Sequence, residues 1–170
     1  MPKIIENLPL RLAQEARKQA LENGYSSLTI RSVASACGVG TGTVYNYYSS
    51  KDALVAAFLL EDWKTRLCGI SLCAETAADS QTVMRSIYEN LQQFLLQYET
   101  IFQDKAAAAA FSGSFSRYHG LLRSQLAAPL RRFCPTDFAA EFVAEALLTW
   151  TVGGKSFDEL HNILQNITQE

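Results

Sequence analysis

The stretch Leu28-Thr29-Ile30-Arg31-Ser32-Val33-Ala34-Ser35-Ala36-Cys37-Gly38-Val39-Gly40-Thr41-Gly42-Thr43-Val44-Tyr45-Asn46-Tyr47-Tyr48 decides the fold. Thr29 is a good cap for a short helix over Ile30 to Ala36, with Ile30, Val33 and Ala34 on its inner face. Cys37-Gly38-Val39 follows as a three-residue turn, with glycine where a tight reversal needs positive φ. A further short helix, about Thr41 to Tyr47, comes next, and Val44 and Tyr48 are spaced to share its inward side. Two short helices joined by such a turn form a helix-turn-helix. In that motif the second helix lies in the major groove of duplex DNA.

The outer side of the second helix fits that task. Thr41, Thr43, Tyr45, Asn46 and Tyr47 offer hydroxyls and an amide, groups that reach phosphate oxygens and base edges. Gly42 lowers helix propensity by about 1 kcal/mol relative to alanine, which makes sense where a backbone must approach DNA closely. Upstream, Asn7 is expected to cap a helix with Pro9 in its opening turn. Leu12, Ala13, Ala16, Ala20 and Leu21 form its apolar stripe, Gly24 stops it, and Tyr25 and Leu28 serve as core anchors. Downstream, Ser50 caps a fourth helix. Lys51 then sits in a first turn, where the helix dipole disfavours a cation. A phosphate against the same helix end accounts for it; a solvated lysine at little cost is the other account.

These residues resemble the TetR family of one-component transcriptional regulators. The resemblance runs from Gly24-Tyr25 through Leu28-Thr29-Ile30-Arg31-Ser32-Val33-Ala34 and Cys37-Gly38-Val39-Gly40-Thr41-Gly42-Thr43-Val44-Tyr45-Asn46-Tyr47-Tyr48 to Ser50-Lys51-Asp52-Ala53-Leu54. It implies that Arg31 contacts a base or phosphate, that Thr43 and Tyr45 read the major groove, and that Tyr47 and Lys51 hold phosphates. The expected DNA-binding set is Thr29, Arg31, Thr41, Gly42, Thr43, Tyr45, Asn46, Tyr47 and Lys51. The chain departs from the family at Gly40, where a capping serine is common, and at Thr41, where a basic residue or proline is common. At 170 residues it is also short for the family.

Composition agrees with an all-α chain. Only 9 glycines and 4 prolines occur, and 48% of residues are hydrophobic. The expected division is a three-helix helix-turn-helix domain over residues 1–53 and a helical effector-binding and dimerisation domain over 54–170. The formal charge is −2, but residues 1–53 hold six Lys/Arg against four acids, so the local balance there favours phosphate. No apolar run approaches the roughly 18 residues that span a bilayer, and Met1 to Glu6 lacks the apolar segment of a secretory signal. No membrane association and a cytoplasmic location are therefore expected. Cys37, Cys68, Cys73 and Cys134 have no CxxC spacing and are expected as reduced, mostly packed thiols. His119 and His161 lie in no metal or triad motif, and no GxSxG or P-loop is present. No enzyme activity, metal or cofactor is expected.

The rest reads as helices: Ser50 to about Arg66, a looser stretch Cys68 to Asp79, Gln81 to Gln97 capped by Ser80, Ile101 to Phe111, and Phe115 to Phe133 kinked at Pro129. Thr136 starts the next helix, Gly153-Gly154 ends it, and Ser156 with Glu159 forms a capping box for the last. Trp63, Phe94, Tyr98, Phe102, Phe111, Phe115 and Tyr118 are available to line a pocket for a small apolar or neutral effector, with Arg85 and His119 as polar contacts. Plain core packing is the commoner account of any one such aromatic. Phe138, Phe142, Ala146, Trp150, Leu160, Ile163 and Leu164 give the last two helices an apolar face wider than one side. That width suggests a two-fold interface, and the resemblance implies the same. The resulting expectation is a ligand-responsive homodimer on a palindromic operator, acting as a repressor. A helical protein-interaction module whose helix-turn-helix meets a protein partner is the alternative.

Overall fold

The computed structural model describes residues 7–168, apart from the side chains of residues 114–116. Among the described residues the chain is all-α, with no strand. In chain order the helices are α1 Leu8–Asn23, α2 Ile30–Ala36, α3 Thr41–Tyr45, α4 Lys51–Thr76, α5 Ser80–Gln97, α6 Glu99–Phe102, α7 Lys105–Phe111, α8 Phe115–Leu130, α9 Asp137–Val152 and α10 Phe157–Leu164. They fall into two compact units, one holding residues up to 62 together with 98–112, the other 63–97 together with 113 onward.

In the first unit α1 packs on α2, and α2 on α3. Leu12, Ala16, Val33 and Val44 have no solvent exposure, and Tyr25 and Leu28 are buried between α1 and α2 in the sequence. Gly24 ends α1 at φ 80° and Gly38 reverses the chain after α2 at φ 70°, conformations that cost a side-chain-bearing residue about 1 kcal/mol or more. Thr29 caps α2, accepting from the Ser32 amide at 3.0 Å while Ser32 Oγ accepts from the Thr29 amide at 3.3 Å. Serine here does the work usually given to glutamate in a capping box. α6 packs against α1.

In the second unit α8 and α9 form the most extensive pair, α5 lies against both, and α10 closes on α5 and α9. Ile70, Val83, Met84, Ile87, Leu126, Leu130, Val143 and Leu147 make its fully buried centre. Thr136 caps α9 through the Ala139 amide at 3.1 Å. Ser156 and Glu159 close the expected capping box on α10.

Several local expectations give way to competing interactions. Asn7 stands at the start of α1 in the left-handed region (φ 55°) and its side chain makes no capping bond. α4 does not loosen after Arg66: it runs on to Thr76, because burying Ile70 and Ala74 outweighs the roughly 1 kcal/mol cost of Gly69 in a helix. Asp79 rather than Ser80 caps α5, accepting from the Thr82 amide at 2.7 Å, while Ser80 Oγ is buried 2.9 Å from Thr168 Oγ1. The helix expected over Ile101 to Phe111 is two, broken where Asp104 turns its carboxylate onto the Ala106 and Ala107 amides. Pro129 lies in the last turn of α8, where it ends the α-helix at Leu130 and a 3₁₀ turn, Arg131–Phe133, takes over. α3 stops at Tyr45, two residues short of Tyr47.

All four cysteines are free thiols: Cys68 is exposed and the other three are partly buried. Among the described residues no helix is long and apolar enough to cross a membrane.

The α10 cap makes stability pH-dependent. The Ser156 amide, Lys155 ammonium and Ser156 hydroxyl hold the Glu159 carboxyl down to about 2, from an ordinary 4.5. A depressed folded pKa stabilises above the unfolded value and is lost as pH falls towards the folded one. Urea titrations followed by circular dichroism should therefore find Glu159→Gln less stable than the wild type at neutral pH. The two should converge as pH drops from about 4.5 towards 2.

Candidate nucleic-acid interface

α3 presents a polar outer face because its one buried residue, Val44, is pinned in the core at 0% exposure. After Tyr45 the chain tightens, with the Tyr47 and Tyr48 amides both donating to the Val44 carbonyl at 3.0 Å. Tyr48 is half-buried and its hydroxyl donates to the Pro9 carbonyl at 3.0 Å, which ties the end of the motif to α1. Asn46 and Tyr47 consequently stand outside the helix but remain on the surface that follows it.

The expected contact residues all lie in this unit. Thr29, Arg31, Thr41, Gly42, Asn46 and Tyr47 are exposed, and Thr43 and Lys51 are half-buried. Tyr45 and Tyr47 expose 55% and 51% of their surface, a large amount of aromatic ring for a free face. A Cβ built on Gly42 meets nothing within 4 Å, so no neighbour in the chain requires glycine there.

Lys51 is not a freely solvated side chain. Its Nζ donates to the Tyr25 carbonyl at 3.1 Å and lies 3.8 Å from the centroid of the Tyr25 ring. The Tyr25 hydroxyl donates to the Asp52 carboxylate. Burial first, then that hydrogen bond, push the Tyr25 hydroxyl well above the ordinary phenol value. A cation unfavourably placed at the N-terminus of α4 is thereby offset by a carbonyl, a ring face and the adjacent carboxylate.

Sequence reasoning missed what holds Tyr25 and Ser26. Asp104 Oδ2 accepts from the Ser26 hydroxyl at 2.6 Å and the Ser26 amide at 3.1 Å. Those bonds, led by the Ser26 hydroxyl, keep the Asp104 carboxyl below its ordinary pKa. Phe111 meets the Tyr25 ring edge-on at 6.2 Å between centroids. Arg17 Nε donates to the Tyr98 hydroxyl at 2.9 Å. Partners about 80 residues apart leave no local signal in the sequence.

The expected pocket residues separate. Tyr98 is fully buried in the first unit with Arg17 and Phe58, and Phe111 is there too, on Tyr25. Exposed Phe102 lies edge-on to Tyr98. In the second unit buried Trp63 packs edge-on against Phe94 at 5.4 Å and donates its indole N–H to Gln125 at 3.1 Å. Tyr118 is half-buried, and the Phe115 side chain lies outside the described residues. Arg85 is exposed, stacked 4.0 Å over the Phe157 ring, and borders an open polar groove of about 430 Å³ with Asp79, Ser86 and Glu89. His119 bonds to Glu145 at 2.9 Å.

The expected interface residues divide as well. Leu160 and Leu164 are buried in their own unit's core and are not available to a partner. Phe138 (77%), Phe142 (49%), Trp150 (52%) and Ile163 (67%) remain exposed, with Ala146 partly so.

Residues 12–58 match the family model of the bacterial regulatory proteins of the tetR family. Over 57 residues the chain is 33% identical to the HTH-type transcriptional regulator UidR of Escherichia coli strain K12, a span of 34% of this chain and 29% of UidR. The chain thus matches less than a third of the length of that curated relative. Salmonella enterica GusR has a similar fold, with TM-score 0.68 at 21% identity over 97% of this chain and 98% of that one. So does RolR in complex with resorcinol, with TM-score 0.61 at 20% identity over 95% and 88%.

Proposed function

We propose that this chain, whose residues 12–58 match the tetR family of bacterial regulatory proteins, is a member of that family and a DNA-binding transcriptional regulator acting as a cytoplasmic homodimeric repressor. Each protomer seats residues 41–47 in a major groove of a palindromic operator. The observation that carries this is the exposed polar and aromatic face of α3 and the turn after it, held outward by buried Val44. Thr43, Tyr45 and Asn46 meet base edges, Arg31 a base or phosphate, and Thr29, Thr41, Tyr47 and Lys51 the backbone. Gly42, which nothing in the chain requires, admits a sugar-phosphate strand against the helix. The family match leaves the protein-partner alternative without an observation in its favour.

The copy-to-copy contact uses Phe138, Phe142, Ala146 and Trp150 of α9 with Ile163 of α10. α9 buries Ala140, Val143, Leu147 and Leu148 in its own core and still exposes aromatics on the other side. A two-fold axis through such a face covers it on both copies at once. A small neutral effector, comparable with the resorcinol in the RolR complex, weakens DNA binding if it favours a conformation the duplex does not match.

Four substitutions test this. With the DNA flanking its own gene as probe, Tyr45→Ala should lose most of the preference over mixed-sequence duplex. Lys51→Ala should weaken binding to both and lower the salt slope by about one. Unchanged affinity in both variants overturns the assigned surface. Gly42→Ala should raise the melting temperature, gaining up to about 1 kcal/mol, while binding the probe less well; equal or tighter binding removes the close-approach role. Phe142→Glu should convert dimer to monomer in sedimentation velocity, whereas a dimer that persists places the interface elsewhere.

A further inference from the structure

We infer that Asp104 and Phe111 are positioning residues for the phosphate contact of Lys51, acting through Tyr25 and Ser26; this rests on the DNA-binding reading above. The argument begins with what Lys51 touches. Its ammonium is held by the Tyr25 carbonyl at 3.1 Å and by the Tyr25 ring face at 3.8 Å. With the carbonyl taking one of the ammonium's three donor directions and the ring face a second, one remains for a phosphate oxygen. Where that direction points depends on where the Tyr25 backbone and ring stand.

The Tyr25 backbone and ring are gripped from the segment 98–112 of the same unit. Asp104 Oδ2 accepts both the amide and the hydroxyl of Ser26, the next residue, at 3.1 and 2.6 Å. The Ser26 amide shares its peptide unit with the Tyr25 carbonyl that holds Lys51, so a bond to one fixes the plane of the other. Phe111 sets the ring from its edge. The other Asp104 oxygen caps α7 through the Ala106 and Ala107 amides at 2.8 and 3.2 Å. One carboxylate therefore joins the start of α7 to the peptide on which Lys51 rests. A rotation of that peptide by a few tens of degrees moves the carbonyl oxygen by about 1 Å, enough to take a phosphate contact outside the roughly 2.7–3.2 Å range of a good hydrogen bond.

The charge of Asp104 makes the test sharp, because its plain electrostatic effect has the opposite sign. Removing an acid near DNA should tighten binding; removing a positioning bond should loosen it. Asp104→Asn serves here, since asparagine has one acceptor oxygen in place of two: with that oxygen on the α7 cap, its NH2 cannot accept from the Ser26 amide. Binding to a short mixed-sequence duplex, followed by anisotropy across a salt series, needs no operator because phosphate contacts are sequence-independent. Asp104→Asn should bind about threefold to tenfold more weakly at about 0.1 M salt, with a slope lower by up to about one. In the Lys51→Ala background the loosening should vanish, leaving binding unchanged or slightly tighter through the lost acid alone. Ser26→Ala, which leaves the α7 cap intact, should move both in the same direction by less. Asp104→Asn binding as tightly as the wild type or tighter, at unchanged slope, overturns the inference. So does an Asp104→Asn effect that persists undiminished without Lys51. Failure of the DNA-binding reading looks different: the wild type itself shows no salt-dependent binding, or Lys51→Ala leaves the slope unchanged.

Discussion

A five-residue helix has no stability of its own, because its nucleus costs more than its few hydrogen bonds return. The outward face of α3 exists only because Val44 is sealed into the core and Tyr48 is tied to the Pro9 carbonyl. Those two attachments lie on one side and leave the other to solvent, so the fold decides which side chains face outward before any partner arrives. Everything proposed for Tyr45, Asn46 and Tyr47 depends on that anchoring.

Much of this was legible because it is local. The α2 limits, the glycine reversal at Gly38 and the caps by Thr29, Thr136 and Ser156 depend on residues within four positions of one another. Local chemistry misled where a distant contact outbid it. Gly69 and the small residues after Cys68 looked like a break, but the burial of Ile70 and Ala74 keeps α4 intact to Thr76. Asp104 falls inside the stretch expected as one helix, Ile101 to Phe111, and its partner Ser26 is 78 positions away. The surface of the candidate site was readable from its own motif; the residues that support it from 98–112 were not.

α9 shows how one pattern can serve two ends. Its apolar residues exceed what a single neighbour covers, and the structure sorts them: Val143 and Leu147 face inward with no exposure, while Phe138 and Trp150 stay in solvent. α10 behaves differently, since Leu160 and Leu164 are needed at home and Ile163 alone is left over. An interface built on these helices must therefore draw most of its apolar area from α9. Glu145 of the same helix meets His119 and Arg123 of α8: burial opposes its charge, but bonds from Thr149 and His119 and the Arg123 cation keep the carboxyl below its ordinary pKa.

The first unit is not contiguous in the chain. Its helices up to residue 62 are completed by α6 and α7, which return after 35 intervening residues. Tyr98 satisfies Arg17, Asp104 satisfies Ser26, and Phe111 covers Tyr25. A fragment excised after α3 or midway along α4 would strand a guanidinium, two amide and hydroxyl donors and an aromatic ring without companions. Moving this unit into another protein therefore means transplanting the returning α6–α7 segment as well, and a single cut in the chain cannot release it whole.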